Sequence, residues 1–106
     1  DWSAETRDAG LVQAVAQMTL DSLIAMMKLP VPALIKIDVD GAEVSVLKGA
    51  STTLASSMLR SVFIECSDSE ILETVRTQMQ TVGYSGRLLY RKAGGQEDWL
   101  FAKSPC

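Results

Sequence analysis

The chain has 106 residues, 47% of them hydrophobic, which suits a single domain with one core and a good deal of wet surface. Its formal net charge of −3 and sequence pI near 4.8, with ten Lys and Arg scattered along it, argue against a nucleic-acid or anionic-membrane surface, because both need basic side chains gathered on one face. There is no histidine, which excludes imidazole metal ligands and a Ser-His-Asp arrangement and leaves acid or base chemistry to Asp, Glu, Lys, Tyr or Cys.

Asp1 to Gly10 is polar and small and reads as a loose leader to a folded α/β domain over residues 11–106. Trp2 is its only large apolar group, placed either over a later aromatic surface or in solvent. Leu11 to Met18 (LVQAVAQM) fits a short strand or a turn or two of helix, and the strand is the preferred reading. Thr19 then suits an N-cap, and Asp21 lies where the helix dipole favours an anion. The helix runs to about Lys28 with Leu20, Leu23, Ile24 and Met27 on one stripe, and Pro30 and Pro32 stop it. No secretory leader pattern opens the chain, and the apolar run LIAMMKLPVPALI is interrupted by Lys28, Pro30 and Pro32 too soon to span a bilayer. Cys66 reads as a small buried residue and Cys106, the last residue, as mobile; with no C-x-x-C pair, a soluble protein of the reducing cytoplasm is expected.

The organising stretch is ALIKIDVDGAEVSVLKGA, Ala33 to Ala50. It predicts a buried strand from Leu34 to Val39, a tight turn at Asp40-Gly41, and a helix from near Gly41 that carries Val44, Leu47 and Leu54 on one face with Ser51 between them. Ser61 to Cys66 (SVFIEC) is a second strand. A helix from about Ser69 to Val82, with Leu72, Val75, Met79 and Val82 on its stripe, ends at Gly83. Tyr84 to Lys92 and Asp98 to Lys103 form a hairpin across Ala93-Gly94-Gly95-Gln96. Met27, Met58 and Met79 are expected in the core, and Trp99, Leu100 and Phe101 as core or edge packing rather than a stacking platform. The order β-α-β-α-β-α-β-β predicts half of a doubly wound, Rossmann-like sheet, mostly parallel, closed by an antiparallel hairpin.

In such sheets ligands gather at the carboxyl ends of the strands. Ile35, Ile37 and Val39 point one way along the central strand, and Leu34, Lys36, Asp38 and Asp40 the other, with Glu65 at the same end of the next strand. Two readings stand: Lys36 forms an ion pair with Asp38 or Glu65 that helps fix the register, or the polar cluster lines a cleft. Asp40 with Glu43 three residues on has the spacing of a capping box, while Gly41 allows a tight turn and leaves room for an anion or ligand hydroxyl at the helix start. Asp38, Asp40 and Glu65 are possible oxygen ligands for a divalent ion, but their spacing specifies no metal.

TLDSLI (Thr19 to Ile24), LIKIDVDGAEVSVLKGA (Leu34 to Ala50), RSVFIE (Arg60 to Glu65), VGY (Val82 to Tyr84) and DWLFAK (Asp98 to Lys103) together resemble the carboxyl-terminal half of the FkbM-type methyltransferases. Members of that family often carry Glu where this chain has Asp40. The resemblance implies a class I methyltransferase-like fold, S-adenosylmethionine as cofactor and O-methylation of a small-molecule hydroxyl. It implies Asp38 as the group that orients or deprotonates the acceptor, with Lys36 beside it. Asp40, Gly41 and Glu43 would border the cofactor and Glu65 the substrate. The family's Gly-rich cofactor turn has no counterpart here, since the chain contains no G-x-G. The expectation is therefore a piece of a longer enzyme, a chain completed by a partner, or a non-catalytic binding or assembly module of the same descent, inactive alone. Without the strand that would flank it, the Leu34 to Val39 edge is open to the Leu11 to Met18 strand or to a second copy, which predicts a homodimer.

Overall fold

A computed structural model of the chain describes the backbone of residues 2–6 and 12–103, and side chains from 17 to 103. Strand β1 (Trp2–Thr6) pairs antiparallel with β2 (Val12–Ala16), with Trp2 opposite Ala16 and Thr6 opposite Val12. This ribbon is separate from the main sheet. Residues read from sequence as a leader thus form a strand, and β2 pairs with β1 instead of moving in beside the central strand. The expectations for the Trp2 side chain and for Cys106 lie outside the described residues.

Helix α1 (Leu20–Met27) starts as its sequence predicts, with the Ser22 amide donating to Thr19 Oγ1 at 3.0 Å. It ends at Lys28, which adopts a left-handed conformation with φ 53° just before Pro30. The main sheet has four strands in the order β3 (Leu34–Ile37), β4 (Ser61–Cys66), β6 (Glu97–Lys103), β5 (Tyr84–Arg91). β3 and β4 run parallel, Ile35 opposite Val62 and Ile37 opposite Ile64, whereas β6 is antiparallel to both β4 and β5. The sheet is therefore mixed rather than mostly parallel, because the closing hairpin docks its second strand against β4 and leaves β5 at the far edge. These four strands do not by themselves establish a Rossmann order. Gly94 and Gly95, both at φ +96°, make the hairpin turn.

Alternation along the strands divides the sheet into two unlike faces. Ile37, Val62, Ile64, Cys66, Tyr84 and Phe101 are buried against Leu47, Leu54, Leu59, Leu72, Val75 and Met79, the core of the domain. Gly86 belongs to this face because a Cβ there would come within 2.5 Å of the Phe101 ring. On the other face Lys36 is exposed, and Phe63, Glu65 and Leu100 are half-buried. Among the described residues, helices cover one face only. Met27 and Met58, expected in the core, are 59% and 63% exposed, and Val82 lies at the exposed end of its stripe. Met79, Phe101 and Cys66 are buried as expected, and Trp99 packs beside the core with its ring 6.1 Å from that of Phe101.

The helix expected from Gly41 through Leu54 is two: α2 (Glu43–Lys48) and α3 (Ser51–Ala55). The break falls at Gly49, where a Cβ would sit 2.8 Å from Thr19 Cγ2, and the Gly49 carbonyl accepts from the Asp21 amide at 3.0 Å. A new helix start at Ser51 exposes amides that need acceptors. Asp21 supplies them: the Thr52 amide donates to Oδ2 at 2.8 Å, and the Thr53 amide and hydroxyl donate to Oδ1 at 2.9 and 2.7 Å. Asp21, in the first turn of α1 as its sequence predicts, therefore also caps α3 across 31 residues of sequence. On the other side of the core, α4 (Ser69–Thr81) is capped by Asp68, whose carboxylate accepts from the Glu70 and Ile71 amides.

Partial desolvation pushes the Asp21 carboxyl up, but the Thr53 hydroxyl and the Thr52 and Thr53 amides outweigh it and hold the group below its ordinary 3.8. A depressed folded-state value gives stability that is complete above the unfolded value and is lost as pH falls through the folded one. Asp21→Asn should therefore lower the urea midpoint at neutral pH by the equivalent of about 1 kcal/mol, the usual worth of a cap. The gap from the wild type should close as pH drops below about 3.8. A gap that stays constant through that range would show that the carboxylate charge is not its source.

Candidate functional site

Parallel pairing brings the carboxyl ends of β3 and β4 side by side, with Lys36 opposite Phe63. Lys36 Nζ lies 3.8 Å from Glu65 Oε1 and 5.7 Å from the centre of the Phe63 ring. With the Lys36 side chain 61% exposed, this pair is worth under about 1 kcal/mol. Glu65 is more enclosed, at 15%, and Gln96 Nε2 donates to its Oε2 at 3.2 Å. Asp38 takes no part in the Lys36 pair among the described residues. Glu65 is both the ion-pair partner of Lys36 and part of a cavity lining.

β3 ends at Ile37, and the turn to α2 passes through Gly41 at φ +86°. No atom lies within 4 Å of where a Cβ of Gly41 would be, so the glycine is needed for its backbone conformation rather than for space. The expected capping box does not form. The N-cap residue of α2 is Ala42, with no side-chain capping bond, so Asp40 falls two positions too early and Glu43 is the first helical residue. Glu43 is buried instead, 3% exposed, and its Oε1 has no hydrogen-bond partner among the described residues.

Asp38, Val39, Asp40, Glu43, Glu65 and Gln96, with Cys66 and Ser67, line a cavity of about 210 Å³ at the strand ends. A neighbouring cavity of about 160 Å³ shares Asp40, Glu43, Cys66 and Ser67 and adds Gly41, Asp68 and Ile71. The candidates Asp38, Asp40, Gly41, Glu43 and Glu65 therefore meet around two adjoining hollows, while Lys36 stands outside them. Burial pushes the Cys66 thiol up, and the nearby Glu43 charge adds to this after the opposing hydrogen bond to the Asp68 carbonyl. A larger trough, about 520 Å³, lies between α2, α3 and the second half of α4. Its lining is mainly apolar and holds none of the candidate residues, so size does not mark the site here.

Gln96 and Asp98 were not singled out from sequence. Asp98 lies opposite Glu65 across β4 and β6, and its Oδ1 is also buried without a partner among the described residues. Two acidic side chains facing each other disfavour the pairing. No sequence signal could have found this, because it depends on which strand docks beside β4. Among the described residues, no group of three or more Cys, Asp and Glu is placed to hold a metal ion, and no helix is long and apolar enough to cross a membrane.

An unmatched buried carboxylate oxygen costs on the order of 1–3 kcal/mol. Glu43→Gln keeps the shape, removes the charge, and offers an N–H to a neighbourhood of acceptors. It should raise the urea midpoint by about 1 kcal/mol, and a clear fall would mean that Glu43 stabilises the fold.

The chain matches the family model described as the Methyltransferase FkbM domain over residues 3–85. No curated protein and no solved structure matches it. The matched span runs from β1 to Tyr84 and Ser85 and so includes the acidic corner and both parallel strands. With most of its length inside that match, the chain belongs to the FkbM methyltransferase domain family.

Proposed function

We propose that the chain forms the acceptor side of an S-adenosylmethionine-dependent O-methyltransferase and is inactive without a cofactor-binding half. The observation that carries this reading is the meeting of Asp38, Asp40 and Glu65 around one cavity at the carboxyl ends of the parallel pair, where ligands of α/β sheets gather. Asp38, exposed on the cavity wall, accepts the proton of an acceptor hydroxyl as the oxygen attacks. Glu65, steadied by Gln96 and Lys36, orients a second hydroxyl of the acceptor.

The family's cofactor supplies an electrophilic methyl group when bound. The corner of Asp40, Gly41 and Glu43 offers acceptor oxygens suited to its N–H and O–H donors. At about 160 Å³ that hollow would take one end of the molecule and no more, below the roughly 300 Å³ at which ordinary ligand pockets begin. The sheet supports the same division, since parallel pairs are normally covered by helices on both faces and here one face carries exposed Lys36 and half-buried Phe63 and Leu100. Positioning, the main source of rate in methyl transfer, would then come from both halves together. A fusion of residues 12–103 behind the Gly-rich half of an FkbM-type enzyme should bind S-adenosylhomocysteine and methylate a hydroxyl acceptor. Asp38→Asn in that fusion should lower kcat by about 100-fold with the cofactor affinity unchanged. A folded fusion that binds no cofactor would favour the other reading, a non-catalytic assembly module.

β3 pairs on one side only among the described residues. Leu20, Ile35, Ile37, Val39 and Val46 line a hollow of about 480 Å³ along its free edge. In the isolated chain we propose that a second copy fills this edge. Sedimentation should show a homodimer, and a monomer at millimolar protein would remove the proposal.

A further inference from the structure

The two hollows at the strand ends share one unexplained group. Glu43 is 97% buried, its Oε1 has no partner among the described residues, and the residue lines both hollows. Around it stand Asp38, Asp40, Glu65 and Asp68. Two donors on the lining are engaged elsewhere: Gln96 Nε2 donates to Glu65 Oε2, and the Cys66 thiol donates to the Asp68 carbonyl at 3.4 Å. An acceptor-rich, negatively charged hollow with a buried carboxylate oxygen unfilled calls for a ligand that is positively charged and brings its own N–H groups. The acidic groups are not arranged as a metal cage among the described residues, which directs the reading to an organic cation. The size of the hollow, about 210 Å³, fits one polar headgroup.

We propose that the Glu43 hollow is a subsite for a primary ammonium group, with Glu43 receiving one N–H and Asp40 at the rim a second. The proposal rests on the methyl-transfer reading only for the source of that group: an amino-bearing polyol acceptor such as an amino sugar, or the amino-acid end of the cofactor. The binding site itself stands on the burial and the missing partner.

Two matched pairs of probes test it on the 106-residue chain by following amide chemical shifts during titration. The first pair is glucosamine against glucose, and the second is S-adenosylhomocysteine against 5′-methylthioadenosine, which lacks the amino-acid end. In at least one pair the ammonium-bearing member should bind about tenfold more tightly, the worth of one charge-assisted hydrogen bond. Its shifts should centre on residues 38–43 and 65–68, and the preference should vanish in Glu43→Gln. The preferring pair identifies the source. Should Glu43→Gln misfold, Asp40→Asn at the exposed rim should weaken the same preference. Equal binding within both pairs, no binding of any probe, or a preference that survives both substitutions would overturn the ammonium site. Because these titrations need no methyl transfer, their failure leaves the enzymatic reading intact, and an inactive fusion leaves the ammonium site intact.

Discussion

The carboxylate of Asp21 closes a long-range polar contact on which the seating of α1 against α3 depends. No residue of α1 is fully buried, so a short amphipathic helix with a half-buried stripe would hold its place poorly by hydrophobic contact alone. Three donors of α3 converge on Asp21 and fasten α1 to the start of that helix. The contact also accounts for the break between α2 and α3. An unbroken helix would have no free amides at Thr52 and Thr53, and only glycine at residue 49 lets Thr19 approach as closely as it does. One side chain thus ties the segment before β3 to the helices after it.

The consequence for the sheet is that β3 enters from a fixed α1 and leaves into a fixed α2, but is paired on one side only among the described residues. A short strand in that position would usually carry polar residues toward solvent, and Lys36 does. Ile35 and Ile37 do not fit an ordinary edge, since they extend the core into the hollow lined by Leu20 and Val46. The mixture suits a strand built to be covered further, and the half-buried Phe63 and Leu100 on the open face suit it too.

Elements set by local chemistry were legible in the sequence. Thr19 as a cap, Gly83 at φ +91° as a helix terminator, the paired glycines at the hairpin and the strand SVFIEC all behave as their residue types require. Features set by long-range pairing were not. β2 has the pattern of a strand but nothing in it names β1 as partner, and the position of β6 beside β4 is decided by the packing of Trp99 and Phe101 on the core rather than by order along the chain. Met27 and Met58 follow an apolar pattern whose outer end has nothing to pack against. At the site, alternation along the strands placed Lys36 and Glu65 together correctly, but the turn through Gly41 and Ala42 shifts α2 by enough to turn Glu43 from a cap into a buried charge. Asp98 enters only through the register.

That shift matters most for the chemistry. A first-turn Glu at a surface helix would satisfy amides of its own helix and contribute a little to stability. Buried without a partner for Oε1 among the described residues, the same residue carries the desolvation cost of that oxygen, and Asp98 opposite Glu65 adds a like-charged neighbour. Two carboxylates with unpartnered oxygens among the described residues, placed near the same strand ends, set this corner apart from the well-capped helices around it. The Asp21 cap and the apolar face of β4 supply the rigidity that lets such a corner persist. The stable parts of the domain and its chemically unmatched parts are thus separate, with the sheet and α3 holding the first and the β3 to α2 turn the second.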